Sequence, residues 1–414
     1  QTEGDSFVYG QCNDTYEFLP CSAPVANSIL QFTEDSIIST SCVNSNGTFM
    51  YANSSFTNDQ VQYFSNGRIL SNTFEIIDSN LIDVYDLTVL GSTWTSGGFQ
   101  SRLFLNIKNQ NQERIFLFYN HHDYTYDTLF AYDELASVPV PKEEVIISKK
   151  NVLLSNLDTT IGGGISACRH ANGRDWWVMK SGIYHDEFYQ GLLDPSGIVM
   201  EKKWTSVPHY KHLGLTTTSF FNLTGTKFYH FTYGRFFNAN GPLDERNLIY
   251  IYDFDRCNGQ LSNPVVHDIT QYTFMWDNYL GCLSPDGSKF YFTKSYEVNA
   301  QEQIVGDGGI YQYDFETTNF TKIKNLPVGY PILSPYGDKI IVVSATPTNI
   351  PPFYGQPCLD IIYNPNAAGL ACNYQDNKVS LTSFGALYPP SIANFRLGPV
   401  DGSICDSLGL DAPI

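Results

Sequence analysis

The sequence predicts an all-β chain, a β-propeller of four-stranded antiparallel blades, and three observations carry that expectation. Four short aromatic strands reach an aspartate at near-equal intervals, Leu129-Phe130-Ala131-Tyr132-Asp133, Tyr189-Gln190-Gly191-Leu192-Leu193-Asp194, Ile249-Tyr250-Ile251-Tyr252-Asp253 and Ile310-Tyr311-Gln312-Tyr313-Asp314, in steps of 61, 59 and 61 residues. A period of that size built from strands marks a blade array, because one small sheet buries its faces only against its neighbours. Tight-turn residues recur in phase, at Asn46-Gly47, Asn172-Gly173, Thr224-Gly225, Pro285-Asp286-Gly287 and Pro335-Tyr336-Gly337, and after the last three a lysine (Lys227, Lys289, Lys339) leads into an apolar run. Helical periodicity is nearly absent.

Each repeat reads in order as a strand, a glycine turn, a strongly apolar strand, a variable loop, an aromatic strand ending in Asp, a turn, and a polar outer strand. The apolar strands include Asp175-Trp176-Trp177-Val178-Met179, Phe228-Tyr229, Phe290-Tyr291-Phe292 and Ile340-Ile341-Val342-Val343; a copy at Glu113-Arg114-Ile115-Phe116-Leu117-Phe118 lacks the glycine. Outer strands are expected at Glu144-Val145-Ile146-Ile147-Ser148 and Asn319-Phe320-Thr321-Lys322-Ile323. Six such sets are legible. Residues 1–30 and 385–400 fall outside them, and a ring closed by Ser6-Phe7-Val8-Tyr9 with Asn394-Phe395-Arg396-Leu397 favours seven blades over six. Residues 1–400 thus read as a single propeller and 401–414 as a tail or linker.

Composition narrows the function classes. The chain has 414 residues, 42% of them hydrophobic and 15% aromatic, enough for a large packed core. A net charge of −18 with no Lys/Arg cluster excludes nucleic acid as partner. No apolar run approaches the ~20 residues that span a bilayer, so membrane insertion is not expected. Opening on Gln1 suits a mature, exported chain.

Nine cysteines show no CxxC pair, which argues against a zinc ribbon or a thioredoxin-like motif and for an oxidising compartment. Cys358 and Cys372 flank a Pro/Gly loop and are the first candidates for a bridge, followed by Cys12 with Cys21 and Cys257 with Cys282. An odd count leaves one thiol over.

The aspartates at the strand ends could form a ring of ligands, but aspartate before a turn more simply bonds the following backbone. Asp253 to Gly259 is no EF-hand, since the glycine falls at the seventh position instead of the sixth. His121-His122-Asp123 and His209-x-x-His212 lack third and fourth ligands at metal-site spacing, so they read as surface histidines. Asp186 and Glu187 are adjacent and point to opposite faces of an extended chain, which is no glycosidase pair. Gly-x-Ser-x-Gly does not occur, Gly162-Gly163-Gly164 precedes a strand, and Ser284-Pro285-Asp286-Gly287-Ser288 does not match a sialidase box. No catalytic, metal or cofactor residue is nominated.

The sequons at Asn46 and Asn222 sit in inter-strand turns open to glycosylation; Asn13, Asn53 and Asn319 head three more. The loop bearing Tyr119, His121, His122, Tyr124 and Tyr126 has the polar aromatic character of a low-entropy contact surface.

Three strings resemble a known family: Arg169-His170-Ala171-Asn172-Gly173-Arg174-Asp175-Trp176-Trp177-Val178, Asn364-Pro365-Asn366-Ala367-Ala368-Gly369-Leu370-Ala371-Cys372-Asn373, and the stretch from Ala393-Asn394-Phe395-Arg396-Leu397-Gly398-Pro399 to Cys405-Asp406-Ser407-Leu408-Gly409. They are similar to propeller regions of secreted Bacteroidota proteins, in which the last string leads into a C-terminal sorting domain for type IX secretion. That sorting domain is missing here. The resemblance runs from about residue 40 onward and implies a secreted or outer-surface propeller without specifying a reaction. Bacteroidota-type O-glycosylation would fall at Ser36, Thr128 and Ser407. The resulting expectation is a non-enzymatic adhesion, surface-layer or filament component that binds other extracellular or cell-surface proteins, itself or polysaccharide. The alternative is a lectin or carbohydrate-active enzyme using the central pocket.

Overall fold

The computed structural model describes residues 29–32, 37–40, 52–57, 60–65, 68–70, 76–78, 102–109, 112–122, 128–138, 144–154, 164–181, 187–205, 217–236, 244–270, 281–294, 308–326, 328–334, 337–346, 354–380, 393–394, 397–406 and 408. Its strands form antiparallel sheets in which each strand bonds the next in sequence. A two-stranded sheet pairs β1 (Ile29–Phe32) with β2 (Ile37–Thr40). Six four-stranded sheets follow among the described residues. The first comprises β3 (Ala52–Thr57), β4 (Gln60–Ser65), β5 (Arg68–Leu70) and β6 (Ile76–Asp78). Next come β7 (Arg102–Asn109), β8 (Gln112–His122), β9 (Thr128–Val138) and β10 (Glu144–Leu153), then β11 (Ile165–Arg169), β12 (Trp176–Ser181), β13 (Glu187–Asp194) and β14 (Gly197–Thr205). The fourth sheet holds β15 (Thr217–Phe221), β16 (Lys227–Phe236), β17 (Asp244–Phe254) and β18 (Leu261–Asp268). The fifth holds β19 (Gly281–Leu283), β20 (Lys289–Lys294), β21 (Gly309–Asp314) and β22 (Phe320–Lys324), and the sixth β23 (Val328–Leu333), β24 (Ile340–Thr346), β25 (Tyr354–Ile362) and β26 (Tyr374–Ser380).

The chain is a β-propeller. First strands of neighbouring sheets lie side by side, β3 by β7, β7 by β11, β11 by β15 and β19 by β23, which puts them innermost. The expected outer strands β10 and β22 are the last of their sheets. Asn394 and Leu397 are not in a strand, so they do not seal a blade by pairing; Asn394 Nδ2 instead donates to Leu223 O at 2.8 Å. Ser6 to Tyr9 lie outside the described residues.

The turn glycines behave alike. Gly173, Gly225, Gly287 and Gly337 have φ between 67° and 77°, and each amide returns to the carbonyl three residues back, at 2.8 to 3.0 Å. That conformation is what spaces the first two strands of a blade so tightly.

Between blades, buried faces interleave. Leu103, Phe116 and Phe118 pack with Ile165, Trp176 and Val178; Trp177, Met179 and Phe188 with Phe228, Tyr250 and Phe254; Tyr229, Phe231 and Ile249 with Phe290, Phe292 and Tyr311. Burying large aromatics edge to face or offset supplies most of the cohesion, as with Phe231 and Phe290 at 4.0 Å between ring centres.

A second device repeats across these interfaces. A polar side chain of a blade's second strand donates to a turn carbonyl of the next blade: Arg114 to Pro195 O, Trp177 Nε1 to Arg256 O at 2.7 Å, Tyr229 Oη to Gly287 O at 2.9 Å and Tyr291 Oη to Pro365 O at 2.8 Å. Gln190 and Gln312, on the third strands, add bonds to Gly259 O and Ala367 O, both at 2.8 Å. Trp177, Tyr229 and Tyr291 each stand four residues after their turn glycine, so the repeat that spaces the strands also aims the latch. Burial pushes the Tyr229 phenol up to about 12, and that of Tyr291 higher still, so both remain donors. Tyr291→Phe removes one latch and leaves Pro365 O without its donor; it is expected to destabilise by about 1–3 kcal/mol, read as a lower urea midpoint at unchanged slope.

Candidate functional site: a strap stapled across two blades

Two of the three strings that resemble the secreted family, Arg169 to Val178 and the stretch from Ala393, meet in one place. After the last blade the chain returns to the turns of the third and fourth four-stranded blades, β11–β14 and β15–β18, and lies across them as a strap. Ala393 is buried with Ile165 and Trp176, and Leu397 packs on the cluster holding Trp177 and Phe254. Pro399 sits on Gly173 so closely that a Cβ there would stand 2.8 Å from its ring. Val400 N donates to Ala171 O at 2.9 Å. Cys405 closes the strap with a disulfide to Cys257, in the β17–β18 turn.

Arg256 holds the junction from below. Its side chain is 7% exposed, and its guanidinium donates to Arg169 O at 2.8 Å, His170 O at 3.3 Å and Gly398 O. Burial lowers its pKa, as removal of a cation from water must. His170 Nδ1 accepts from the Asn172 amide at 3.0 Å, which puts the proton on Nε2, facing Cys257 O at 2.9 Å. The β11–β12 turn is tied internally: Asn172 Nδ2 donates to Asp175 at 2.6 Å, its Oδ1 accepts from Arg174 N and Asp175 N, and Arg174 Nε reaches Asp175 at 2.7 Å. Arg169 stacks over Trp176 at 3.9 Å. These polar groups answer one another, and the arrangement holds chain to chain.

The expected disulfides are corrected. Cys257 is joined to Cys405, not to Cys282, because Cys257 occupies an outer turn while Cys282 lies in the innermost strand β19, buried opposite Tyr291. Cys372 is a buried free thiol as well. Cys358 lies four residues inside β25, registered with Ser380, whereas the loop closes at Ile362 with Tyr374. Backbone bonds from Asn364 N to Cys372 O (2.9 Å) and Tyr363 N to Asn373 O (3.2 Å) close that loop instead. Cys168 is buried and free, and burial raises its thiol to about 12, which keeps it unreactive. Cys12 and Cys21 lie outside the described residues.

The aspartates hold turns. Asp194 accepts from Ser196 N at 2.7 Å, Asp314 from Glu316 N and Thr317 N at 3.0 and 2.9 Å, and Asp255 from Cys257 N at 2.8 Å. Register explains the in-phase lysines: Lys227 faces Asp253, and Lys289 faces Asp314, at 2.8 and 3.1 Å. Asp133 departs from the expectation, because β9 runs on to Val138. Its neighbour Glu134 takes the charge role, bonded by Arg114 at 2.7 Å and Lys149 at 2.9 Å.

The proposed contact loop begins later than expected. Tyr119, His121 and His122 belong to β8, with His121 registered to Leu129 and His122 to Thr128; Tyr124 and Tyr126 lie outside the described residues, as do His209, His212, Ser36, Asn46 and Ser407. Asn222 is engaged in its turn: its Oδ1 accepts from Thr226 N at 2.8 Å and Lys227 N at 3.0 Å, and its Nδ2 donates to Thr224 and Thr226. A glycan there would leave Nδ2 one hydrogen and so remove at least one of the last two bonds. The Pro/Gly loop between Cys358 and Cys372 packs on the preceding blade through Gln312 and Tyr291. Lys180 carries no mark in the sequence, since a lysine in a strand such as β12 ordinarily faces solvent. It is fully buried, donates to Ser181 O at 3.3 Å, and burial brings its ammonium down to about 7. Among the described residues no three His, Cys, Asp or Glu side chains are grouped to hold a metal ion, and no helix is long and apolar enough to cross a membrane.

The carboxylates and His267, which titrate below neutrality, are shifted in one direction. The bonds from Lys227 and Asn263 hold Asp253 below the ordinary carboxylate range. At Glu134, Asp286 and Asp314 burial pulls upward, but hydrogen bonds from Arg114 and Lys149, from Ser284 and Ser288, and from Thr317 and Lys289 outweigh it. Burial beside Tyr313 and Phe315 lowers His267 from its ordinary 6.5. A group whose folded pKa lies below its unfolded one supports the fold above the unfolded value and ceases to do so as the pH falls through the folded one. Lys180 loses its contribution between about pH 10.5 and 7, and on further acidification denaturant midpoints are expected to fall below about pH 6.5 through His267 and again below about pH 4 through the carboxylates. His267→Gln should remove the step below about pH 6.5 only.

The sheet order and inner-strand adjacency define the class, a β-propeller. No family model and no curated protein matches the chain. Solved structures similar to it include a eukaryotic initiation factor, 12% identical over 84% of this chain and 69% of that one with a TM-score of 0.32. An α-L-arabinofuranosidase from Podospora anserina in complex with cellotriose is 9% identical over 70% of this chain and 89% of that one, TM-score 0.32. The catalytic domain of a Coprinopsis cinerea GH62 α-L-arabinofuranosidase is 9% identical over 70% and 90%, TM-score 0.27.

Proposed function

We propose that the protein is a secreted or cell-surface propeller that acts as a non-enzymatic binding module, as an adhesion, surface-layer or extracellular filament component of the kind the sequence strings resemble. The observation that carries this reading is the fate of the carboxylates. Asp194, Asp253, Asp255, Asp286, Asp314 and Glu134 are engaged in turn bonds or with cations, as expected of a stiff frame that presents loops. The half-exposed Cys257–Cys405 bridge supports an oxidising location, where such bonds persist. Its partners are other surface proteins, further copies of itself, or polysaccharide. The test is to present purified protein to cells, extracellular matrix and a glycan panel while following its oligomeric state. Saturable binding or self-association supports the reading. A strictly monomeric chain that binds none of these overturns it, and turnover of a glycan reassigns the protein to the carbohydrate-active enzymes.

A further inference from the structure

We propose that the Cys257–Cys405 bridge is a load-bearing staple. Tension on the chain beyond residue 405 enters the propeller at the β17–β18 turn, and everything between the two cysteines is relieved of it. The bridge spans 148 residues of sequence and so encloses β18, the blades β19–β22 and β23–β26, and the strap itself.

Without the bridge, the strap would be the weak element. Residues 397–406 form no strand, and few bonds fasten them: Val400 N to Ala171 O, the Arg256 guanidinium to Gly398 O, and the seat of Pro399 on Gly173. These lie one after another along the strap, so a pull from its far end would break them singly and then reach the blade ending in β26. The staple lies outside them all, between their last member and any pull from beyond. It delivers the load to a turn whose preceding strand, β17, is paired along its length with β16 from Asp244 to Asp253. There, many hydrogen bonds share the force. Cys168, Cys282 and Cys372 are buried and free, and the one bridge seen among the described residues is the one in the path of such a load. The inference holds whatever the propeller binds, and its failure would leave the binding reading untouched.

Single-molecule pulling on the full 414-residue chain, held at its two ends, tests it. In non-reducing buffer the fully extended chain should be about 500 Å shorter than in dithiothreitol, from 148 residues at ~3.5 Å each. The first rupture should also require more force than it does under reduction, where a small early event releases the strap. Cys405→Ser should behave as the reduced protein; should that variant not fold, reducing the folded wild-type chain makes the same comparison. Equal extension with and without reductant would overturn the proposal by showing no bridge. Equal first-rupture force would overturn it by showing that the bridge bears no load.

Discussion

Trp177→Ala is expected to destabilise the protein by about 3–5 kcal/mol. The side chain is 8% exposed. Its ring packs between His170 and Phe254, at 5.5 and 6.3 Å between centres, and lies where a Cβ on Gly259 would come within 2.7 Å of it. Deleting it opens a cavity beside a turn that cannot collapse inward, because Gly259 is held at φ 69° and its amide is bound to Asp255 O at 2.8 Å. The loss of the bond to Arg256 O comes on top of the cavity. Trp177→Phe keeps most of the volume and should recover more than half of the loss. Urea denaturation of the three proteins measures the order; a Trp177→Ala midpoint within error of wild type would contradict this account of the blade interface.

Arg256→Ala is expected to have a comparable effect, roughly 3–5 kcal/mol, by a different route. Three carbonyls, of Arg169, His170 and Gly398, lose a shared charged donor at once. Two belong to the β11 edge and the third to the strap, so the substitution both unseats the strap and loosens two blades from one another. Arg256→Lys should rescue poorly, since one ammonium cannot reproduce the planar fork that meets the three acceptors. Limited proteolysis adds a readout: cleavage after residue 396 should accelerate in Arg256→Ala, and Cys405 should stay linked to Cys257 in non-reducing mass spectra. Unchanged cleavage would mean that the strap is seated without the guanidinium.

Much of the fold was legible because its determinants are local. A glycine with positive φ, an apolar strand after it and an aspartate that bonds the next turn all act within a few residues, and together they recur with a period that survives reading by eye. Asp194, Asp253 and Asp314 stand at or beside strand ends as that logic requires, while Asp133 does not, because Glu134 with its two cations allows β9 to continue past the usual stop. The latches were half legible: their donors fall at a constant offset from the turn glycine, yet a Trp or Tyr in an apolar strand reads only as core until the neighbouring blade is in place. The strap was not legible at all. Pairing Cys257 with Cys405 depends on where 148 residues of intervening chain return, and the seat for Pro399 is a glycine whose openness has no sequence mark beyond the turn it already serves. Two of the three strings that carry the family resemblance, around Arg169 to Val178 and from Ala393 onward, are parts of that junction, while Asn364 to Asn373 packs on the β19–β22 blade.

The direction of the latches has a consequence for synthesis. In each one the donor precedes its acceptor in the sequence: Arg114 waits for Pro195, Trp177 for Arg256, Tyr229 for Gly287 and Tyr291 for Pro365. A chain emerging from the ribosome N-terminus first therefore completes each blade with an unanswered polar group on the face its successor will cover. Each of these four blades is finished by the one translated after it, and the strap, which follows them in the chain, reaches back to a pair already joined. A ribosome stalled between blades would display such a face, one aromatic or arginine donor set in a patch of apolar side chains, which is the surface a chaperone recognises.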